Sequence, residues 1–170
     1  MSAQTVEILI VEDNPHDLEL AMHAFQMHRF SNKIDVARDG QEALEYLLDC
    51  NSRVGGVLPK VILLDLKLPK VGGLEVLREI RANPSLRHLP VVILTSSREE
   101  GDIVKSYDLG VNSYIVKPVD FDKFVETVQT LGLYWLLLNE PPVAALSEPA
   151  AESAGRNSPL LLARIESKTR

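Results

Sequence analysis

The sequence has one cysteine, Cys50, so an intramolecular disulfide framework is excluded and a reducing, cytoplasmic setting is expected. Cys50 has no evident base partner and is assigned no role. No apolar run approaches the roughly 18 residues that a membrane-spanning helix needs. The opening Met1-Ser2-Ala3-Gln4 lacks the basic and apolar regions of a signal peptide, so nothing points to export. Positive charge is also short: 18 Lys and Arg against 24 Asp and Glu leave a net charge of −6, with no basic stripe. Direct nucleic-acid binding is not expected, because neutralising phosphates requires clustered Lys or Arg. The four histidines, His16, His23, His28 and His88, lack ligand spacing around a shared site and read as ordinary surface or helix residues. A length of 170 residues suits one domain with a tail.

What the chain does have is a set of apolar runs that stop abruptly on chemistry. Ile8-Leu9-Ile10-Val11 runs into Glu12-Asp13, and Val61-Ile62-Leu63-Leu64 runs into Asp65. Continuous apolar runs suit strands covered on both faces, as in a parallel sheet. The carboxyl ends of such strands open onto the ligand crevice. Three carboxylates gathered there are costly without a cation, and a hard divalent metal, magnesium first, is the simplest partner. Val91-Val92-Ile93-Leu94 ends in Thr95-Ser96-Ser97, and Tyr114-Ile115-Val116 ends in Lys117-Pro118. Metal ligands, a carboxylate nucleophile, a hydroxyl and an ammonium make an inventory for handling a phosphoryl group.

Strand and helix patterns alternate over residues 6–138. Strands are expected at Val6–Val11, Lys33–Ala37, Lys60–Asp65, Val91–Thr95 and Ser113–Lys117. The first helix begins after Asp13 or Asn14, with Pro15 in its first turn and Leu18, Ala21 and Phe25 as its apolar stripe. Others are expected at Asp39–Leu48, around Leu74, Leu77 and Ile80 up to Asn83-Pro84, at Glu99–Leu109 closed by Gly110, and at Phe121–Leu138. Residues 50–59 read as a loop. Five βα units imply a parallel sheet with helices on both faces. Residues 1–5 are then an N-terminal extension and 6–140 the domain. Residues 141–170 hold four of the ten prolines and read as a mostly disordered tail.

Glu12-Asp13, Asp65, Thr95 and Lys117-Pro118, falling in order at strand ends, resemble the signature set of receiver domains in two-component response regulators. Pro69 and Gly73, four and eight residues after Asp65, and Tyr114, three before Lys117, fit the same pattern. The resemblance covers residues 6–138. It implies a flavodoxin-like (CheY-like), doubly wound α/β fold with a five-stranded parallel sheet in the order 2-1-3-4-5. It also implies a signalling protein rather than an enzyme. Asp65 would accept a phosphoryl group from a sensor histidine kinase. Magnesium would be ligated by Asp13, Asp65 and the Lys67 carbonyl, with Glu12 acting through water. Thr95 and Lys117 would assist the transfer, and Tyr114 would be a switch that follows Thr95. The Lys117–Pro118 bond would be cis, although chemistry alone makes trans the default. Lys67 and Ser97 would flank the pocket mouth.

Each residue also has a plainer reading. Asp65 alone could cap a turn, Glu12 and Asp13 could complement a helix dipole, Thr95 could be a strand residue, Lys117 a solvated lysine and Tyr114 core packing. Their joint occurrence in this order favours the receiver site. A haloacid- or phosphatase-type hydrolase would want a second acid two residues after the nucleophile, where this chain has Lys67. A phosphorylation-independent dimeric adaptor remains the alternative.

The stretch Leu131–Pro142 resembles the end of single-domain receivers that partner bacterial and cyanobacterial phytochrome histidine kinases. Within it, Leu133, Tyr134, Trp135, Leu136, Leu137 and Leu138 are six consecutive apolar residues. A helix can bury one face against its own sheet, so the rest is expected to pair with a partner. The expected pairing is a homodimer through the fifth strand and the last helix. The alternative is that the tail folds back over this patch.

Overall fold

The computed structural model describes residues 6–27, 33–53 and 56–140. The expected extension at 1–5, the tail at 141–170 and His28 lie outside them. Five strands, β1 (Val6–Val11), β2 (Lys33–Ala37), β3 (Val61–Leu64), β4 (Val91–Thr95) and β5 (Ser113–Val116), alternate with α1 (Pro15–Met27), α2 (Gly40–Ser52), α3 (Gly73–Ala82), α4 (Glu100–Asp108) and α5 (Phe121–Gly132). The strands form one parallel sheet in the order β2-β1-β3-β4-β5, as the resemblance implied.

Alternation along the central strands sorts side chains to two cores. Leu9, Val11, Ile62 and Leu64 pack with Ala43 and Leu47 of α2 and Val76, Leu77 and Ile80 of α3. Ile8, Ile10, Val61 and Leu63 pack on the other face with Ala21 and Phe25 of α1 and Phe124 and Val128 of α5. Burial on both faces explains why Ile8–Val11 and Val61–Leu64 are apolar without a break.

Local signals account for the helix ends. Asn14 caps α1, its side chain accepting from the N–H groups of His16 at 2.9 Å and Asp17 at 3.3 Å. Asp39 caps α2 through the Glu42 N–H at 2.8 Å. That helix runs to Ser52, four residues past the expected Leu48 and into the stretch read as a loop. Gly110 stands at φ +82°, where a residue with a side chain would be strained. α4 is thinly anchored: Ser106 is its one fully buried residue, its start lacks a side-chain cap, and Gly101 sits in its first turn.

The last helix is not α-helical to its end. Leu133–Leu138 forms a π-helical segment, with the Asn139 N–H donating to the Tyr134 carbonyl at 2.8 Å. It divides the six residues expected at an interface. Trp135 and Leu136 are buried in the α1/α5 core. Leu133, Tyr134, Leu137 and Leu138 are 45–71% exposed. The expectation for Trp135 and Leu136 is therefore corrected: their side chains are used by the domain itself. No helix among the described residues is long and apolar enough to cross a membrane.

Candidate functional site

The sheet ladder continues past the formal strand ends and fixes the acids. The Glu12 N–H donates to the Ala37 carbonyl and the Asp65 N–H to the Val11 carbonyl, both at 3.0 Å, and the Lys117 N–H donates to the Thr95 carbonyl at 2.7 Å. Glu12, Asp65, Thr95 and Lys117 are thus held on neighbouring backbones at one edge of the sheet. Glu12 and Asp65 are buried and Asp13 is exposed. Carboxylate oxygens of Glu12, Asp13 and Asp65 lie within 4.8 Å of one another.

Lys117 closes this group from the β5 side, its side chain only 8% exposed. Its ammonium donates to Glu12 Oε2 at 2.5 Å, Asp17 Oδ2 at 2.8 Å and Asp65 Oδ2 at 3.2 Å. Burial by itself would lower the lysine's pKa. The hydrogen bonds to Asp17 and Glu12 and the charge of Asp65 outweigh it, holding the group above its ordinary value. Glu12 is shifted upward, by burial first, with Lys117 partly offsetting the cost. One ammonium, paired with three carboxylates and with Asp13 alongside, leaves excess negative charge. All the donors are hard oxygens, so the residues fit a magnesium-like cation.

The remaining oxygen of Asp65 is directed by its own turn: Oδ1 accepts from the Leu66 N–H at 2.7 Å. The loop after it is tightly seated. The Gly73 N–H donates to the Leu66 carbonyl at 3.0 Å, and a Cβ on Gly73 would stand 2.2 Å from the Asp65 carbonyl oxygen. Lys70 takes a left-handed φ of 63° and pairs with Asp39 at 2.5 Å, tying this loop to the start of α2.

Thr95 is fully buried, and its hydroxyl oxygen accepts from the Ser97 N–H at 3.3 Å. Tyr114 is half-buried against the α2/α3 core, its hydroxyl donating to the Ser97 carbonyl at 3.1 Å. Burial raises the pKa of this phenol. Two expectations are corrected here. Lys67 is exposed, but Ser97 does not flank a mouth: it is buried, and its hydroxyl donates to Asp102 of α4 at 2.6 Å. The Lys117–Pro118 bond is not cis, since no described peptide bond is. An X–Pro amide favours trans by about 0.5–1 kcal/mol, and Lys117 reaches its three carboxylates with that preference kept.

The structure thus gathers Glu12, Asp13, Asp65 and Lys117, with Thr95 and Tyr114 joined to each other through Ser97. His16, His23 and His88 are exposed and stand apart from the acidic corner; His16 and His23 share one face of α1. Two residues escaped the sequence reading. Asp17 had a usable signal, one helical turn after Asp13 on the helix leaving the acidic corner. Asp102 had none, because its partner Ser97 was expected to flank the pocket mouth.

Comparison with known proteins shows the family. The model of the response regulator receiver domain matches residues 8–129. A probable methanogenesis regulatory protein, FilR2 of Methanothrix harundinacea, is 44% identical over 135 residues, which cover 79% of this chain and 86% of that one. Response regulator Rcp1 of Synechocystis is 38% identical over 129 residues, covering 76% and 88%. Among solved structures, the bacteriophytochrome response regulator AtBRR is 52% identical with a TM-score of 0.61, covering 81% of this chain and 100% of that one. The phosphorylated cyanobacterial phytochrome response regulator RcpA has a TM-score of 0.75 at 38% identity, covering 81% and 99%. A Mn2+-bound form of Rcp1 has a TM-score of 0.73 at 36% identity, with the same coverage.

Proposed function

The chain belongs to the response regulator receiver family, signalling proteins of two-component systems rather than conventional enzymes, and on that premise we propose that Asp65 accepts a phosphoryl group from a sensor histidine kinase. The observation that carries this is the setting of Asp65. It is buried at the end of β3, one oxygen held by the Leu66 N–H, the other facing Lys117 among the Glu12 and Asp13 carboxylates. Asp65 Oδ2 attacks the phosphorus of a phosphohistidine. The new O–P bond forms as the P–N bond breaks, and the imidazole leaves with the bonding electrons. A carboxylate is a weak nucleophile, so position and charge neutralisation supply the rate. Magnesium held by Asp13, Asp65 and the Lys67 carbonyl, with Glu12 acting through water, would supply part of that neutralisation. Lys117 and the Thr95 hydroxyl take phosphoryl oxygens, and Thr95 gives up the Ser97 N–H to do so. Tyr114 follows through its bond to Ser97, passing the change to protein contacts on the β4–α4–β5 side.

The relatives named for phytochrome signalling support a phytochrome kinase as the donor, with the exchange taking place in the cytoplasm. We also assign a homodimer through β5 and the end of the last helix, supported by exposed Leu133, Tyr134, Leu137 and Leu138. Being half to two-thirds exposed, these four offer about 5 kcal/mol of burial together, at the low end of what association costs. The contact therefore draws on β5 as well.

The test is phosphotransfer from candidate kinases and from small phosphodonors. Wild type is expected to take a base-labile, acid-stable label that requires magnesium, and Asp65→Asn none. A label that survives in Asp65→Asn refutes the assignment.

A further inference from the structure

We infer that Asp17 is a positioning residue for the site: it supplies Lys117 with a counter-ion of its own, so that the lysine does not compete with the cation for Glu12 and Asp65. This rests on the proposed metal site. The ammonium spends its three N–H groups on three carboxylates, at 2.5 Å to Glu12, 2.8 Å to Asp17 and 3.2 Å to Asp65. Glu12 and Asp65 belong to the group that can close on a cation, together with Asp13, whereas Asp17 lies outside it. The backbone of Asp17 is placed independently of Lys117, because it stands in the first turn of α1 with its N–H directed at the Asn14 cap at 3.3 Å.

When a divalent cation loads, the carboxylate charge at Glu12 and Asp65 is shared with it, and the lysine loses part of two of its three partners. An ammonium 8% exposed cannot turn to water for compensation. With Asp17 present, one close partner is untouched by loading. Without it, the lysine has only the two carboxylates that the cation also needs, and loading must displace it. The same anchor keeps Lys117 within reach of Asp65 for the step in which it meets the phosphoryl group.

A purely through-space role for Asp17 makes the same prediction for the single variant, since removing a negative charge weakens any cation site. The two accounts part when the lysine is absent. Magnesium affinity of the full chain is measured by titration calorimetry for wild type, Asp17→Asn, Lys117→Ala and the double variant. Metal-free thermal melts establish that each is folded. Asp17→Asn is expected to raise the magnesium Kd about tenfold in the wild-type background and less than about twofold in the Lys117→Ala background, a coupling of ordinary size for residues in contact. Asp17→Glu, which keeps the charge on a longer arm, is expected to recover most of the loss. Equal factors in both backgrounds, or no change in either, overturn the inference while leaving the metal site standing. A wild type that binds no magnesium overturns the metal site and this inference together.

Discussion

Replacing Gly73 by alanine tests how rigidly the fold holds Asp65. The added Cβ would lie 2.2 Å from the Asp65 carbonyl oxygen, 2.7 Å from Leu66 Cα and 3.0 Å from the Asp65 carbonyl carbon. All three are backbone atoms, so no side chain can swing away, and α3 must slide or the Asp65 turn must shift. Overpacking of this kind costs about 1–3 kcal/mol, and a backbone obstacle puts Gly73 at the upper end. Alanine's advantage in a helix returns about 0.5–1 kcal/mol, leaving a net loss near 2 kcal/mol. For a unit of this size that lowers Tm by about 6–10 °C. The shift falls on the residue whose carboxylate closes the cation group, where a few tenths of an ångström matter. Magnesium affinity should therefore fall along with Tm. Gly101 in α4 is the control, since nothing stands within 4 Å of its Cβ position. Gly101→Ala should raise stability by about 0.5–1 kcal/mol and leave magnesium binding alone. Thermal melts and calorimetric titration of both variants decide. A Gly73→Ala protein with wild-type Tm and wild-type magnesium affinity refutes the close approach of α3 to the Asp65 turn.

The division of the last helix makes a paired prediction: Leu136→Ala should cost about 2–4 kcal/mol in urea unfolding, as a core truncation does, and Leu137→Ala less than about 0.5 kcal/mol. Tyr134→Asp should shift the chain to monomer in sedimentation velocity, and a wild type that is monomeric at tens of micromolar, phosphorylated or not, refutes the proposed dimer. The Tyr46 phenol, donating to Asp35 at 2.8 Å, is pushed far above its ordinary pKa, by burial first and then by Asp35. A group whose folded pKa is raised contributes stability that is present below its unfolded value, about 10, and lost as pH rises beyond it. Tyr46→Phe should therefore flatten the alkaline limb of the stability–pH curve above pH 10 and leave the slope near neutrality unchanged.

Most of the sheet was legible because four of the five strands, β1, β3, β4 and β5, signal twice, by an apolar run and by the residue that ends it. β1, β2 and β4 begin and end where the pattern puts them, and Asn14, Asp39 and Gly110 mark helix ends by local chemistry. The corner of Glu12, Asp13, Asp65 and Lys117 was legible for the same reason, since parallel strands deliver their ends to one place. What escaped depends on partners distant in sequence. Ser97 looks like a polar residue in a turn until Asp102 is seen beneath it. Trp135 and Leu136 look like their exposed neighbours, since a run of six apolar residues carries no period from which a face could be read. The extension of α2 to Ser52 escaped because Asp49, Asn51 and Ser52 are as common in turns as at helix ends.

The thin anchoring of α4 has an energetic consequence. With one buried residue, no side-chain cap and a glycine in its first turn, this helix has little free energy separating its closed form from local unfolding. Its amides should exchange with solvent through small openings, orders of magnitude sooner than those of β1 or β3, which open only with the whole domain. The hydrogen bond from Ser97 to Asp102 is then a sizeable share of what keeps the helix docked, and Ser97 is tied to Thr95 through the backbone. Under the proposed function, a Thr95 hydroxyl that moves toward Asp65 acts on an element already close to letting go. On that proposal the change at Asp65 need not be forceful to reach the surface, because the fold leaves α4 easy to disturb.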